Sequence, residues 1–138
     1  MTLTLSPQLR LQALAFLPSV LLGACCQNDL VSIRASPNGR RAAVVFERNC
    51  GAAAAGVVMH VSLVDSAAPV PTGVGNVFRV KDTSSTAGGS MIASTSVRWR
   101  NDSELQISYD PRAAVIYKRT RVQSVQVHYQ LSSDTSAH

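Results

Sequence analysis

The chain has 138 residues, enough for one domain with one modest core. Charged residues make up only 15% of it, and long Glu/Lys/Leu/Ala-rich stretches are missing, which excludes a set of exposed charged helices. Thirteen Lys and Arg against eight Asp and Glu leave it basic, but no basic helix or aromatic RNA-binding motif accompanies that charge, which argues against a nucleic-acid partner. What remains is attraction to anionic lipid or an acidic protein, beside plain solubility.

In chain order, Arg10 is the one charge of the first ten residues. An apolar run from Leu11 to Leu22 follows, broken by Gln12, Pro18 and Ser19, and then come Gly23, Ala24 and Cys25. A positive flank, a short apolar run and small residues are the layout of a secretory signal. The run is short for a membrane span, which needs about 20 apolar residues, and Pro18 disfavours a long helix. Leu22-Gly23-Ala24-Cys25 resembles the lipobox of bacterial lipoproteins. The resemblance implies a signal peptide over 1–24, cleavage before Cys25, and an acyl lipid such as palmitate on its thiol. It departs from the family in the depth of Arg10 behind nine uncharged side chains. Cys26 follows where an Asp would signal inner-membrane retention, so under the Gram-negative sorting pattern the resemblance implies a cell-envelope protein at the outer membrane or periplasmic face. A soluble secreted product and a cytoplasmic domain with a buried N-terminal helix are the alternatives.

With Cys25 lipidated, Cys26 and Cys50 remain. In an oxidising compartment they form a candidate disulfide, stabilising by roughly 3 kcal/mol through loop closure. The alternative is a free Cys26 in the tether 25–29 and a buried Cys50. Adjacent cysteines do not make a zinc clip, and His60 and His128 stand alone, so no metal or cofactor is expected.

Residues 30–131 read as one β domain. Val, Ser, Thr and Ala dominate its second half, and β-branched side chains suit a pleated surface. Leu30 to Ala35 reads as a strand, Ser36-Pro37-Asn38-Gly39 as a turn, and Arg41 to Arg48 as the returning strand. Ala42, Val44 and Phe46 fall on one face of it; Ala43, Val45 and Glu47 fall on the other. Residues 49–56 form a small-residue loop, and Val57 to Asp65 alternates again. Residues 66–75 are a loop, 76–81 a short strand, and 82–90 a polar, Gly-rich loop. Met91 to Arg100 places Val97 and Trp99 inward and Arg98 and Arg100 outward. Glu104 to Tyr109 returns with Leu105, Ile107 and Tyr109 inward, and Asp110-Pro111 ends it. Ala113 to Tyr117 is a strand or one helical turn. Val122 to Leu131 is the last strand, its alternation slipping at Gln123-Ser124 as a bulge would. Residues 132–138 are a polar tail. Seven or eight short strands without a helix predict an all-β fold, an antiparallel β-sandwich or curled sheet.

Ser36-Pro37-Asn38-Gly39-Arg40 with its following strand, and Trp99, Asn101-Asp102 and Leu105-Gln106-Ile107, resemble hairpins of β-propeller blades. Two hairpins are too few for a propeller, which needs at least about four blades. With Val45 to Gly51 (V-F-E-R-N-C-G), they resemble small uncharacterised bacterial envelope proteins, which usually carry Asp at the position of Asn38. That resemblance implies no activity.

Candidate chemistry is sparse. Arg48 beside Cys50 would lower a thiol pKa, although a disulfide or core cysteine explains Cys50 more simply. His60 and His128, each placed on the polar face of a strand, would need to meet across a sheet to hold a metal or share a proton. Asp102, Glu104 and Asp110 flank one hairpin without ligand spacing. Arg98, Trp99 and Arg100 form a candidate binding face, or else Trp99 is core and the arginines are its solvated side. No catalytic constellation emerges. The expectation is a non-catalytic envelope module binding a protein or glycan. An immunity-type inhibitor of a toxin in the periplasm and an envelope assembly factor stand as alternatives.

Overall fold

The computed structural model describes residues 26–51, 57–81 and 95–132. The expected signal region, Cys25 as the expected site of lipid attachment, most of the 49–56 loop, the 82–90 loop and residues 133–138 of the tail lie outside the described residues. Nine strands run in order: β1 (Gln27–Ala35), β2 (Arg41–Asn49), β3 (Val58–Asp65), β4 (Phe78–Lys81), β5 (Ser96–Asn101), β6 (Glu104–Tyr109), β7 (Ala114–Lys118), β8 (Arg121–Val122) and β9 (Val125–Leu131). A five-stranded sheet has the order β1-β2-β3-β4-β7, and a four-stranded sheet the order β5-β6-β9-β8. The fold is all-β and built of two sheets, as the strand pattern predicts.

One core joins the sheets. Ala43, Val45, Met59, Val61, Leu63, Phe78 and Val80 come from the five-stranded sheet; Val97, Leu105, Ile107, Tyr109, Val125 and Val127 come from the other. Phe78 is fully buried, its ring 5.0 Å from that of Tyr109 and 5.4 Å from that of Tyr129. These offset aromatic contacts add directional packing to the buried area.

The predicted turn at Ser36 is a four-residue loop. The Ser36 N–H donates to the Arg41 carbonyl (2.8 Å), and only Gly39 of the loop takes a positive φ, 70°. The Asn38 carboxamide accepts from the Arg40 N–H (3.0 Å) and from the Ser36 hydroxyl (2.8 Å). An Asn side chain thus supplies the local acceptor that the turn needs.

Three expectations are revised and one open alternative is decided. Gln27 to Asp29, read as tether, belong to β1 and pair with Asn49 to Glu47, because a Cys26–Cys50 disulfide closes the open end of the β1–β2 hairpin. Gln123-Ser124 is a two-residue hairpin turn, not a bulge. Val122 pairs with Val125, and Gln123 adopts φ 54°, the left-handed conformation such turns demand. Ala114–Lys118 is strand, not helix. Finally, β6 and β9 run parallel within an otherwise antiparallel pair of sheets. Asp110-Pro111 ends β6, since Pro has no N–H to donate. The chain then crosses to β7 in the other sheet and returns through β8, so β9 arrives beside β6 in the same direction.

Truncating Phe78 to Ala should cost about 3–5 kcal/mol by urea unfolding, whereas Ile33→Ser on the exposed face of β1 should stay within about 0.5 kcal/mol. Replacing both Cys26 and Cys50 with Ser removes a cross-link of sequence separation 24 and should cost about 3 kcal/mol in the same titration.

Candidate functional site

Strand β2 is buried on both faces. Ala43 and Val45 face the inter-sheet core, but Ala42, Val44 and Phe46, pointing the other way, are equally buried. So are His60 and Ser62, their neighbours on β3. The second face is covered by the segment 66–77, which links β3 to β4 by way of β1. The carbonyls of Pro71 and Gly73 accept from the Asn28 carboxamide of β1 (2.7 and 2.9 Å). The carbonyl of Thr72 accepts from Arg48 Nη1 of β2 (3.0 Å), which also donates to Asn28 Oδ1 (2.7 Å).

The strap returns to β3 at Gly75 and Asn76. The Asn76 side chain accepts from the Leu63 N–H (2.8 Å) and donates to the Leu63 carbonyl (3.0 Å), extending the ladder before β4 begins. Gly75 lies so close to β3 that a Cβ there would stand 2.8 Å from the Val61 carbonyl and 3.0 Å from His60 Cβ. Only glycine allows that approach. The Gly75 N–H donates to His60 Nδ1 (2.8 Å). The acceptor role fixes the tautomer, leaving the ring proton on Nε2. The imidazole stacks on Phe46 with centroids 5.3 Å apart.

Arg48, His60 and Arg79, together with Val58, Val74 and Ile116, line a pocket of about 240 Å³ at this strap, with the disulfide-bonded Cys50 at its corner. Burial, then Arg79 and Arg48, push His60 down to about 4, so the ring is neutral at physiological pH. The Arg79 guanidinium carbon sits 4.1 Å from the centroid of the Tyr117 ring, and its buried Nε has no hydrogen-bond partner. Arg48 is satisfied by a carboxamide and a carbonyl, both neutral. The described ion pairs, Arg112–Asp110 and His128–Glu104, involve neither pocket arginine.

The other residues singled out in the sequence do not converge. Cys50 is oxidised to a disulfide, so the reading of an Arg48-activated thiol does not apply. His60 is buried under the strap rather than exposed, while His128 lies in the other sheet, 3.6 Å from Glu104. Asp102 accepts from the Asn38 N–H (2.7 Å), tying the two hairpin tips together. Asp110, at the far end of β6 from Glu104, is held down to about 2 chiefly by its side-chain hydrogen bonds with Arg112. Among the described residues, no group of three or more His, Cys, Asp or Glu is placed to hold a metal. Arg98 and Arg100 point away from the core and both donate to Gln106 Oε1. Trp99 points the other way, packs against the core and donates to the Arg34 carbonyl (2.8 Å). Those three residues therefore divide between two faces.

Sequence reasoning missed Asn28, Val74, Asn76, Arg79 and Ile116. Two signals were present: the doubly apolar Ala42–Phe46 run, which asks for cover on both faces, and Gly75-Asn76 at the end of the loop.

The depressed pKa of His60 makes the fold acid-sensitive. Its stabilisation is fully present above the unfolded value of about 6.5 and is lost as pH falls toward about 4. Thermal melts should be flat above pH 7 and decline through that window, by on the order of 2–3 kcal/mol. His60→Gln, which keeps an acceptor for Gly75, should flatten the decline. No protein-family model, curated protein or solved structure matches the chain.

Proposed function

We propose that the chain is a non-catalytic binding domain of the cell envelope, anchored by a lipid on Cys25 after removal of residues 1–24. The observation that carries this reading is how closely the Cys26–Cys50 disulfide and the start of β1 follow the lipobox-like Leu22-Gly23-Ala24-Cys25. Cys26 is already bridged to Cys50, and Gln27 is already paired with Asn49. A disulfide at that point suits an oxidising compartment. An acyl chain on Cys25 would bring the first strand of the domain to the membrane surface.

The binding face we assign is the outward face of the five-stranded sheet, at the strap and its pocket. Two arginines without carboxylate partners line one concavity there, a feature that stability alone does not require. Three of the residues that the sequence offered for cation binding or thiol chemistry are held in structural roles. Asp102 joins two turns, Asp110 fixes its own turn through Arg112, and the Cys50 sulfur is bonded.

Intact mass spectrometry of the membrane-extracted product tests the address. The full chain expressed in a bacterium should begin at Cys25 and carry added acyl mass. Cys25→Ala should lose both the cleavage and the lipid. A product that keeps Met1 to Ala24 and stays in the cytoplasm would sink the proposal.

A further inference from the structure

The chemistry of the pocket defines its ligand. Three of its lining side chains, Val58, Val74 and Ile116, are aliphatic, and Val74 and Ile116 are exposed at 55% and 53%. Exposed aliphatic residues beside a concavity are surface that a ligand's apolar part would remove from water. The remaining side chains are cationic or neutral. Arg48 projects from β2 and Arg79 from β4, on either side of His60 on β3. Lys81, opposite Val58, adds a third cation to the same face. The strap itself, residues 66–77, contributes no titratable side chain, and β7 contributes Tyr117, whereas Lys118 lies on the other face, over Tyr129.

A buried donor without an acceptor is costly, and Arg79 Nε is one. An anion at the pocket supplies the countercharge that the two guanidinium groups lack, through charge-assisted hydrogen bonds. We propose that this pocket binds a small carboxylate with an apolar body, a short acyl acid, its carboxylate between Arg79 and Arg48 and its chain on Val58, Val74 and Ile116. An inorganic anion leaves the aliphatic wall in water, and an alcohol of the same chain leaves the arginines unpaired. The pocket also lies at the Cys26–Cys50 end of the sheet, so on the anchored reading above it opens near the bilayer, where amphipathic acids concentrate.

Binding has a built-in reporter. A carboxylate between the two arginines cancels the positive potential that helps to hold His60 at about 4, so occupancy must raise that pKa, and protonation of His60 must tighten binding. The test is an NMR titration of the full chain with hexanoate, hexanol and inorganic phosphate, following the His60 ring signals, in the presence of phosphatidylcholine nanodiscs. Hexanoate should bind and move the His60 pKa upward, with hexanol and phosphate at least about tenfold weaker. Arg79→Gln should weaken hexanoate by about tenfold or more. Ile116→Glu, at an exposed position that the fold tolerates, should do the same by placing a carboxylate at the rim, and it decides the matter if Arg79→Gln does not fold. Equal binding of hexanol or of phosphate, an unmoved His60 pKa, or full hexanoate affinity in Ile116→Glu would each overturn the proposal. The Cys25→Ala chain should bind hexanoate unchanged, so loss of the anchor reading leaves this test intact.

Discussion

Everything distinctive here follows from β2 being apolar on both faces and β3 beside it being buried on both. A two-layer sandwich covers only one face of a sheet. Burying Phe46 and Val44 outward therefore demands a second cover, and among the described residues the 66–77 segment provides it. An irregular segment laid over a sheet brings carbonyls that must find donors. Asn28 and Arg48 donate to those of residues 71–73, and the Asn76 side chain substitutes for a strand residue beside Leu63. Gly75 lets the backbone close onto β3. The sequence of the loop is thus dictated by the apolar run two strands earlier.

The same arrangement sets the electrostatics. Cations are usually made tolerable by a nearby carboxylate, but here neutral oxygens and an aromatic face do that work. Neutral acceptors pair with Arg48 Nη1 without cancelling its charge, and the Tyr117 ring lies against the Arg79 guanidinium without cancelling that one. The potential between them stays positive. His60, wedged at that point and receiving the Gly75 N–H, has no choice but the neutral form. Its low pKa comes first from burial and then from this field of Arg79 and Arg48.

Alternation made the core legible from the sequence. Val97, Leu105, Ile107 and Tyr109 are inside because period-two patterning within a hairpin depends on nearest neighbours alone. The Ser36 turn and the break at Asp110-Pro111 were readable for the same reason, as local backbone chemistry. The parallel β6–β9 pair was not, because it depends on where the chain goes after leaving the sheet, and no local pattern encodes that. The bulge expected at Gln123-Ser124 failed because a slip in alternation fits a bulge and a tight turn equally well. The site was half legible. Arg48, Cys50 and His60 were singled out, but for a thiol and a metal; their true neighbours, Arg79, Val74 and Ile116, come from elements distant in sequence and brought together only by strand order.

Of the described hydrogen bonds that join one sheet to the other, two lie far from this site and one, from Tyr129, lies beside it. The Asn38 N–H reaches Asp102 and the Trp99 indole reaches the Arg34 carbonyl, both at the turn end of the β1–β2 hairpin. The Tyr129 hydroxyl meets the carbonyls of Arg119 and Val77 where β4 starts. The disulfide end is some nine residues of strand away, roughly 30 Å at the usual rise. There a covalent bond holds β1 to β2 within one sheet, and the pocket opens beside it. Groups so far apart and without shared partners contribute almost additively to stability. Changes at the exposed rim, Val74 and Ile116, can therefore alter what the pocket accepts while the clamp between the sheets keeps the fold. A binding surface of this kind is free to vary on a scaffold that is not.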